Sequence, residues 1–133
     1  MGTVYETAVS VRFGGVDLDP DEITRLLGVE PEAAHRYGDP MPNGRGTWRR
    51  GLWVRRVPRS SPGDIETQVR SLFARMSSDL IVWQDLSLRY HGDIFCGLFL
   101  EDSNEGISIS PDCIRAIADR GLQLGFDIYY RGD

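Results

Sequence analysis

The sequence has 133 residues, 41% of them hydrophobic and 26% charged, and a formal net charge of −5. That length fits one domain over residues 1–133, and the balance excludes a disordered tail, a collagen-like chain and a disulfide scaffold. The longest clean apolar run, Ile94 to Leu100, is far below the roughly 20 residues of a membrane span, and the negative charge argues against nucleic-acid or membrane partners.

The first six residues, Met1 to Glu6, show no basic or apolar leader, and Glu6 stands where a myristoylation signal wants Ser or Thr. Cys96 and Cys113 lack metal or redox spacing and read as small buried hydrophobes. Together these features predict a reduced, cytoplasmic setting.

The predicted elements begin with a strand over residues 5–13. Tyr5, Thr7, Val9, Val11 and Phe13 share one face, Glu6, Ser10 and Arg12 the other, and Gly14-Gly15 ends it. Asp19 then caps a short helix with Pro20 at its first position and Glu22 at the capping-box position. Ile23, Leu26 and Leu27 form its buried stripe and Gly28 its stop. A short strand near Ala34–Tyr37 leads into a loop from Asp39 to Gly44, whose breaker content predicts mobility. Residues 47–57 read as the next strand.

Ser61-Pro62-Gly63-Asp64 opens a helix with Ile65, Val69, Leu72, Phe73 and Met76 on one side. A further turn or two covers Leu80 to Leu86 with Trp83 as anchor. Tyr90 to Leu100 is apolar on both faces and predicts a central strand. Glu101 to Gly106 reads as a solvated acidic turn. Ser110-Pro111 opens the last helix, with Ile114, Ile117 and Ala118 inward and Gly121 as stop. In the final strand Leu122, Leu124, Phe126, Ile128 and Tyr130 alternate on one face.

Leu18-Asp19-Pro20-Asp21-Glu22-Ile23 echoes Ile109-Ser110-Pro111-Asp112-Cys113-Ile114. Either all good helix starts look alike, or two β-α-β halves flank an inserted helix. The second option predicts an α+β, ferredoxin-like two-layer sandwich: a mostly antiparallel four-stranded sheet with helices on one face.

The order of several segments resembles the bacterial DUF4279 family. They are Gly14-Gly15 with Leu18–Ile23, then Leu26 to Pro31, Arg36-Tyr37-Gly38-Asp39-Pro40, Gly51-Leu52-Trp53, Ser108–Pro111 and Phe126–Tyr129. Tyr37 and the residues from Met41 onward depart from the family's pattern. The resemblance implies a small α+β domain of unknown function and supplies no catalytic residues.

No catalytic, metal or cofactor site is expected. The only histidines are His35 and His91, no Gly-x-Ser-x-Gly elbow, Walker loop or dinucleotide fingerprint occurs, and Glu101–Gly106 is too short for an EF-hand. The charge, however, is polarised. His35 to Arg59 holds seven arginines and one acid, a local +6 against −11 for the rest, and the chain has no Lys. Arg forks grip carboxylates and phosphates better than Lys does. The candidate binding residues are therefore Arg36, Asp39, Trp48, Arg49, Arg50, Trp53 and Arg55, with Asp127 added as an acid placed mid-strand. Trp48, Leu52 and Val54 pack inward in one reading of that strand, Trp53 in the other. Asp127 is expected to pair with an arginine of residues 49–56. The leading expectation is a non-enzymatic protein-interaction module, for example of inhibitor or immunity type. Small-anion or nucleotide binding on strand 48–56 is the alternative, and a homodimer through an exposed edge is a third.

Overall fold

A computed structural model describes residues 2–130 and 132. In chain order the elements are β1 (Gly2–Thr3), β2 (Glu6–Gly15), α1 (Pro20–Leu27), β3 (Ala33–His35), β4 (Gly51–Arg56), α2 (Ile65–Ala74), α3 (Leu80–Arg89), β5 (His91–Leu100), β6 (Glu105–Gly106), α4 (Pro111–Asp119) and β7 (Gln123–Tyr130). None of these helices is long and apolar enough to cross a membrane.

Capping chemistry sets the helix starts. Asp19, Asp64, Asp79 and Ser110 each accept a hydrogen bond from a first-turn amide of their own helix. α1 stops at Gly28, whose φ of 80° is left-handed and whose amide donates to the Thr24 carbonyl. Each helix then turns an apolar stripe to the same face of the sheet. Phe13, Trp53, Ile94 and Cys96 of the strands meet Ile23, Leu27, Ile65, Val69, Leu72, Trp83, Leu86 and Ile117 in one buried cluster.

The main sheet has the order β3-β4-β2-β5-β7. Three pairings are antiparallel and the last, β5 with β7, is parallel. A second, two-stranded sheet joins β1 to β6. The fold is thus α+β, but the expected four-stranded, mostly antiparallel sandwich is replaced by a mixed five-stranded sheet, and two helices rather than one stand between the halves. The two β-α-β units are not equivalent. β2 and β3 are separated by β4, whereas β5 and β7 are direct neighbours. Similar helix starts therefore serve different crossovers, because a cap specifies a helix end and not the strand reached afterwards.

Other expectations shift locally. β2 continues through Gly14-Gly15, and α3 runs to Arg89 rather than Leu86. Residues 36–50 do not extend the strands: Arg36–Asp39 forms a turn, the Gly38 amide donates to the Trp48 carbonyl, and the Trp48 amide donates to the Asp39 carbonyl. In α4 the buried stripe is Cys113 and Ile117, while Ile114 is 49% exposed. In β7 only Leu122, just before it, and Leu124 are covered. Phe126, Ile128 and Tyr130 alternate as expected but face solvent, because β7 lies at the sheet's edge.

Candidate binding face of the sheet

With four helices on one side, the other side of the sheet is open. Strand alternation puts Glu6, Ala8, Ser10, Arg12 and Gly14 of β2 on that side. The register sets Val54 and Asp93 beside Arg12, Arg56 and Phe95 beside Ser10, Gly97 beside Ala8, and Asp127 beside Gly97. Small residues at Ala8, Ser10 and Gly97 leave a trough of about 390 Å³ between larger neighbours.

The trough's walls are built from arginines and aromatic rings. Arg12 grips Asp93 with both arms of its fork, Nε to Oδ1 at 2.9 Å and Nη2 to Oδ2 at 2.7 Å, and stacks 3.9 Å over Phe95. The Asp93 hydrogen bonds hold the Arg12 guanidinium above its ordinary pKa, against the opposing effect of burial. Arg59 pairs with Glu6 at 2.9 Å and lies 4.4 Å over Phe99. Phe99 stacks on Tyr129 with centroids 5.0 Å apart, and the Tyr129 hydroxyl donates to Asp127 at 3.1 Å. That bond raises the Tyr129 pKa.

On this face two arginines are uncommitted among the described residues. Arg56 uses its backbone amide to reach Glu32 at 2.7 Å, while its exposed guanidinium has no partner among the described residues. Arg50 lies across Gly14, where a side chain would collide with its guanidinium, and lines a smaller hollow with Leu52, His91 and Asp93. The open face therefore offers one available fork, Arg56, at the apolar, aromatic trough and a second, Arg50, at the neighbouring hollow.

The residues singled out from sequence do not gather in one place. Arg36 clamps the start of α1, reaching Asp19 and Asp21 at 2.8 Å each. Burial opposes ionisation of Asp19, but the bond from Arg36 and its charge hold that carboxyl below its ordinary range. Asp39 accepts from the Arg36 amide at 2.7 Å and so closes the turn. Trp53 is fully buried, and its indole donates to Thr24 at 3.0 Å. Arg55 donates to the Glu30 carbonyl at 2.8 Å and sits 3.5 Å from Glu32. Trp48 stacks on His35 at 3.9 Å, and Arg49 is exposed in the bend before β4. Asp127 does lie on the open face, but exposed and bonded to Tyr129 rather than to an arginine of residues 49–56. Sequence reasoning missed Arg12, Arg59, Phe95, Phe99 and Tyr129. Alternation put Arg12 on the polar side of β2, but only the register shows which small residues meet to form the trough.

A second groove of about 520 Å³ runs between α2 and α4, past Val69, Phe73, Met76 and Cys113. Several of its polar groups already join its walls, although Arg120 Nε is buried without a hydrogen-bond partner among the described residues. Ser110 donates to Glu66 through its hydroxyl at 2.6 Å and its amide at 2.9 Å, and Arg120 stacks 4.0 Å over Phe73 and donates to the Ala116 carbonyl.

A family model described as Domain of unknown function (DUF4279) matches residues 4–131, nearly the whole chain. No curated protein and no solved structure matches the chain.

Proposed function

The chain belongs to the DUF4279 family, and we propose that this member is a non-enzymatic protein-interaction module that binds through the open face of its sheet. The observation that carries this reading is the uncovered trough over Ala8, Ser10 and Gly97, flanked by aromatic rings and the unpaired Arg56. The partner is a protein segment with apolar side chains and a carboxylate, the apolar part lying in the trough and the carboxylate meeting Arg56. An inhibitor- or immunity-type role is one form such a module takes.

Three features favour a protein segment over a phosphate or nucleotide. Arg12 and Arg59 are already neutralised by Asp93 and Glu6, so among the described residues Arg56 is the single open fork at the trough. The faces of Phe95 and Phe99 are covered by guanidinium groups, which competes with base stacking. All four helices pack on the opposite face, so no helix N-terminus supplies backbone amides to an anion here.

The test is affinity capture from native lysate with nuclease present, comparing wild type with Arg56→Glu and with Gly97→Leu, which fills the trough. A specific protein retained by wild type and lost with both variants supports the reading. A partner retained equally by both overturns this surface. Saturable titration by inorganic phosphate or a nucleotide, lost with Arg56→Glu, would replace it with anion binding.

A further inference from the structure

We infer that β7 is a self-pairing edge, on which two copies of the chain join their main sheets through antiparallel β7 strands about a two-fold axis at Ile128. This inference is independent of what the open face binds.

One edge of β7 is bonded to β5, and the opposite edge carries no backbone bond among the described residues. The sheet's other edge, β3, is only three residues long, which itself discourages pairing. β7 is eight residues long and has few of the usual protections. It contains no proline and no basic residue, and Asp127 is its one charge. Its apolar exposure is concentrated at one end: Phe126 is 41% exposed, Ile128 64%, Tyr129 49% and Tyr130 43%. A long, apolar, unguarded edge is a site of association in water.

The residues of that end are complementary to themselves. With the axis at Ile128, Phe126 of each copy faces Tyr130 of the other, Asp127 faces Tyr129, and Ile128 faces Ile128. Aromatic pairs and an acceptor opposite a hydroxyl are favourable cross-strand neighbours. The Tyr129 hydroxyl already reaches the Asp127 carboxylate along the strand, so the two groups suit each other across it. Moving the axis to Asp127 would oppose two carboxylates. Moving it to Phe126 would set Tyr130 against Leu122, which is already buried. Of these three axes, the one at Ile128 pairs the exposed residues with one another, and a two-fold contact closes without growing into a fibre.

Sedimentation equilibrium of the full chain tests this. Wild type is expected at twice 15.0 kDa, and Ile128→Lys at the single-chain mass with an unchanged melting temperature. A wild type that sediments at the single-chain mass at its highest soluble concentration overturns the inference, as does an Ile128→Lys variant that stays paired. Mild oxidation supplies a second readout that does not depend on how that variant folds. Antiparallel partners sit close enough for a disulfide, so Ile128→Cys should cross-link to itself while Asp127→Cys, opposite Tyr129, should not. Cys96 and Cys113 are buried and give little background. No cross-link at 128, or equal cross-linking at 127 and 128, overturns the proposed pairing.

Discussion

Thr7 and Gln68, 61 positions apart, close on each other in both directions. The Thr7 hydroxyl donates to Gln68 Oε1 at 2.6 Å, and Gln68 Nε2 donates back to the Thr7 carbonyl at 3.0 Å. Gln68 also donates to the Pro58 carbonyl at 3.0 Å, and the Asp64 amide donates to the Thr7 hydroxyl at 2.9 Å. Both side chains are buried, so the network ties α2, its cap and the incoming loop to the central strand. Thr7→Val keeps the shape and removes the hydroxyl. It should destabilise by about 2–4 kcal/mol in chemical denaturation, since an amide and an amide oxygen are each left wanting at roughly 1–3 kcal/mol. A change under 1 kcal/mol would show that water enters and satisfies them.

The Arg12–Asp93 pair should respond unequally to loss of its two ends. The Asp93 side chain is 9% exposed and that of Arg12 is 37% exposed. Arg12→Ala strands a buried carboxylate and should cost about 2–3 kcal/mol. Asp93→Ala leaves a guanidinium that water reaches, and should cost nearer 1 kcal/mol. Equal losses in urea unfolding would argue against this asymmetry.

The two tryptophans before and within β4 should separate cleanly. Trp53→Ala opens a core cavity and removes a bond to Thr24, costing about 3–5 kcal/mol. Trp48→Ala breaks a half-exposed stack on His35 and should cost about 1 kcal/mol or less. Thermal melts of the two variants would show a large and a small drop respectively.

Acid should loosen α2 and α4 first. Hydrogen bonds from Ser110 hold Glu66 below its ordinary pKa, and those from Thr67 do the same for Asp64. A carboxylate with a depressed folded pKa stabilises above its unfolded value, near pH 4, and that stabilisation is lost as pH falls through the folded value. Glu66→Gln should therefore lower the melting temperature at pH 7 and flatten its fall between pH 5 and 3. An acid limb parallel to that of wild type would remove Glu66 from the account.

The thiols should be silent in the folded protein. Burial pushes the Cys96 thiol up to about 12 and raises that of Cys113. At pH 8 a disulfide reagent should titrate both only after denaturant is added, because the thiolate is the reactive form. Rapid native labelling of Cys113 would mean that α4 opens locally.

The elements that sequence reasoning placed best are those whose signals are local. Asp19, Pro20 and Gly28 mark both ends of α1, and the alternation of Thr7, Val9, Val11 and Phe13 identifies the buried side of β2. Pairing is not local. Nothing near Ala8 indicates that Gly97 lies beside it, so the trough was invisible. Trp53 and Arg55 looked like a binding strip because Trp and Arg in sequence suggest one. A neighbouring helix, α1, takes the indole, and the segment before β3 takes the guanidinium. Arg36 and Asp39 were recognised as a motif, but their partners are backbone and helix cap, so the motif holds a turn. β7 misled through its pattern: alternation says that a face exists and leaves open whether a layer covers it.

The pairing of β2 with β5 has a consequence for how the chain forms. Glu6 lies opposite Phe99 and Gly14 opposite His91, so the earliest long strand waits for almost the last. On a ribosome, α1, β3 and β4 can collect around β2 early, but one flank of that strand stays bare until residue 100 has cleared the exit tunnel. Such distant pairing slows closure. During that interval the unpaired hydrogen-bonding edge of β2 is the part a chaperone would be expected to hold.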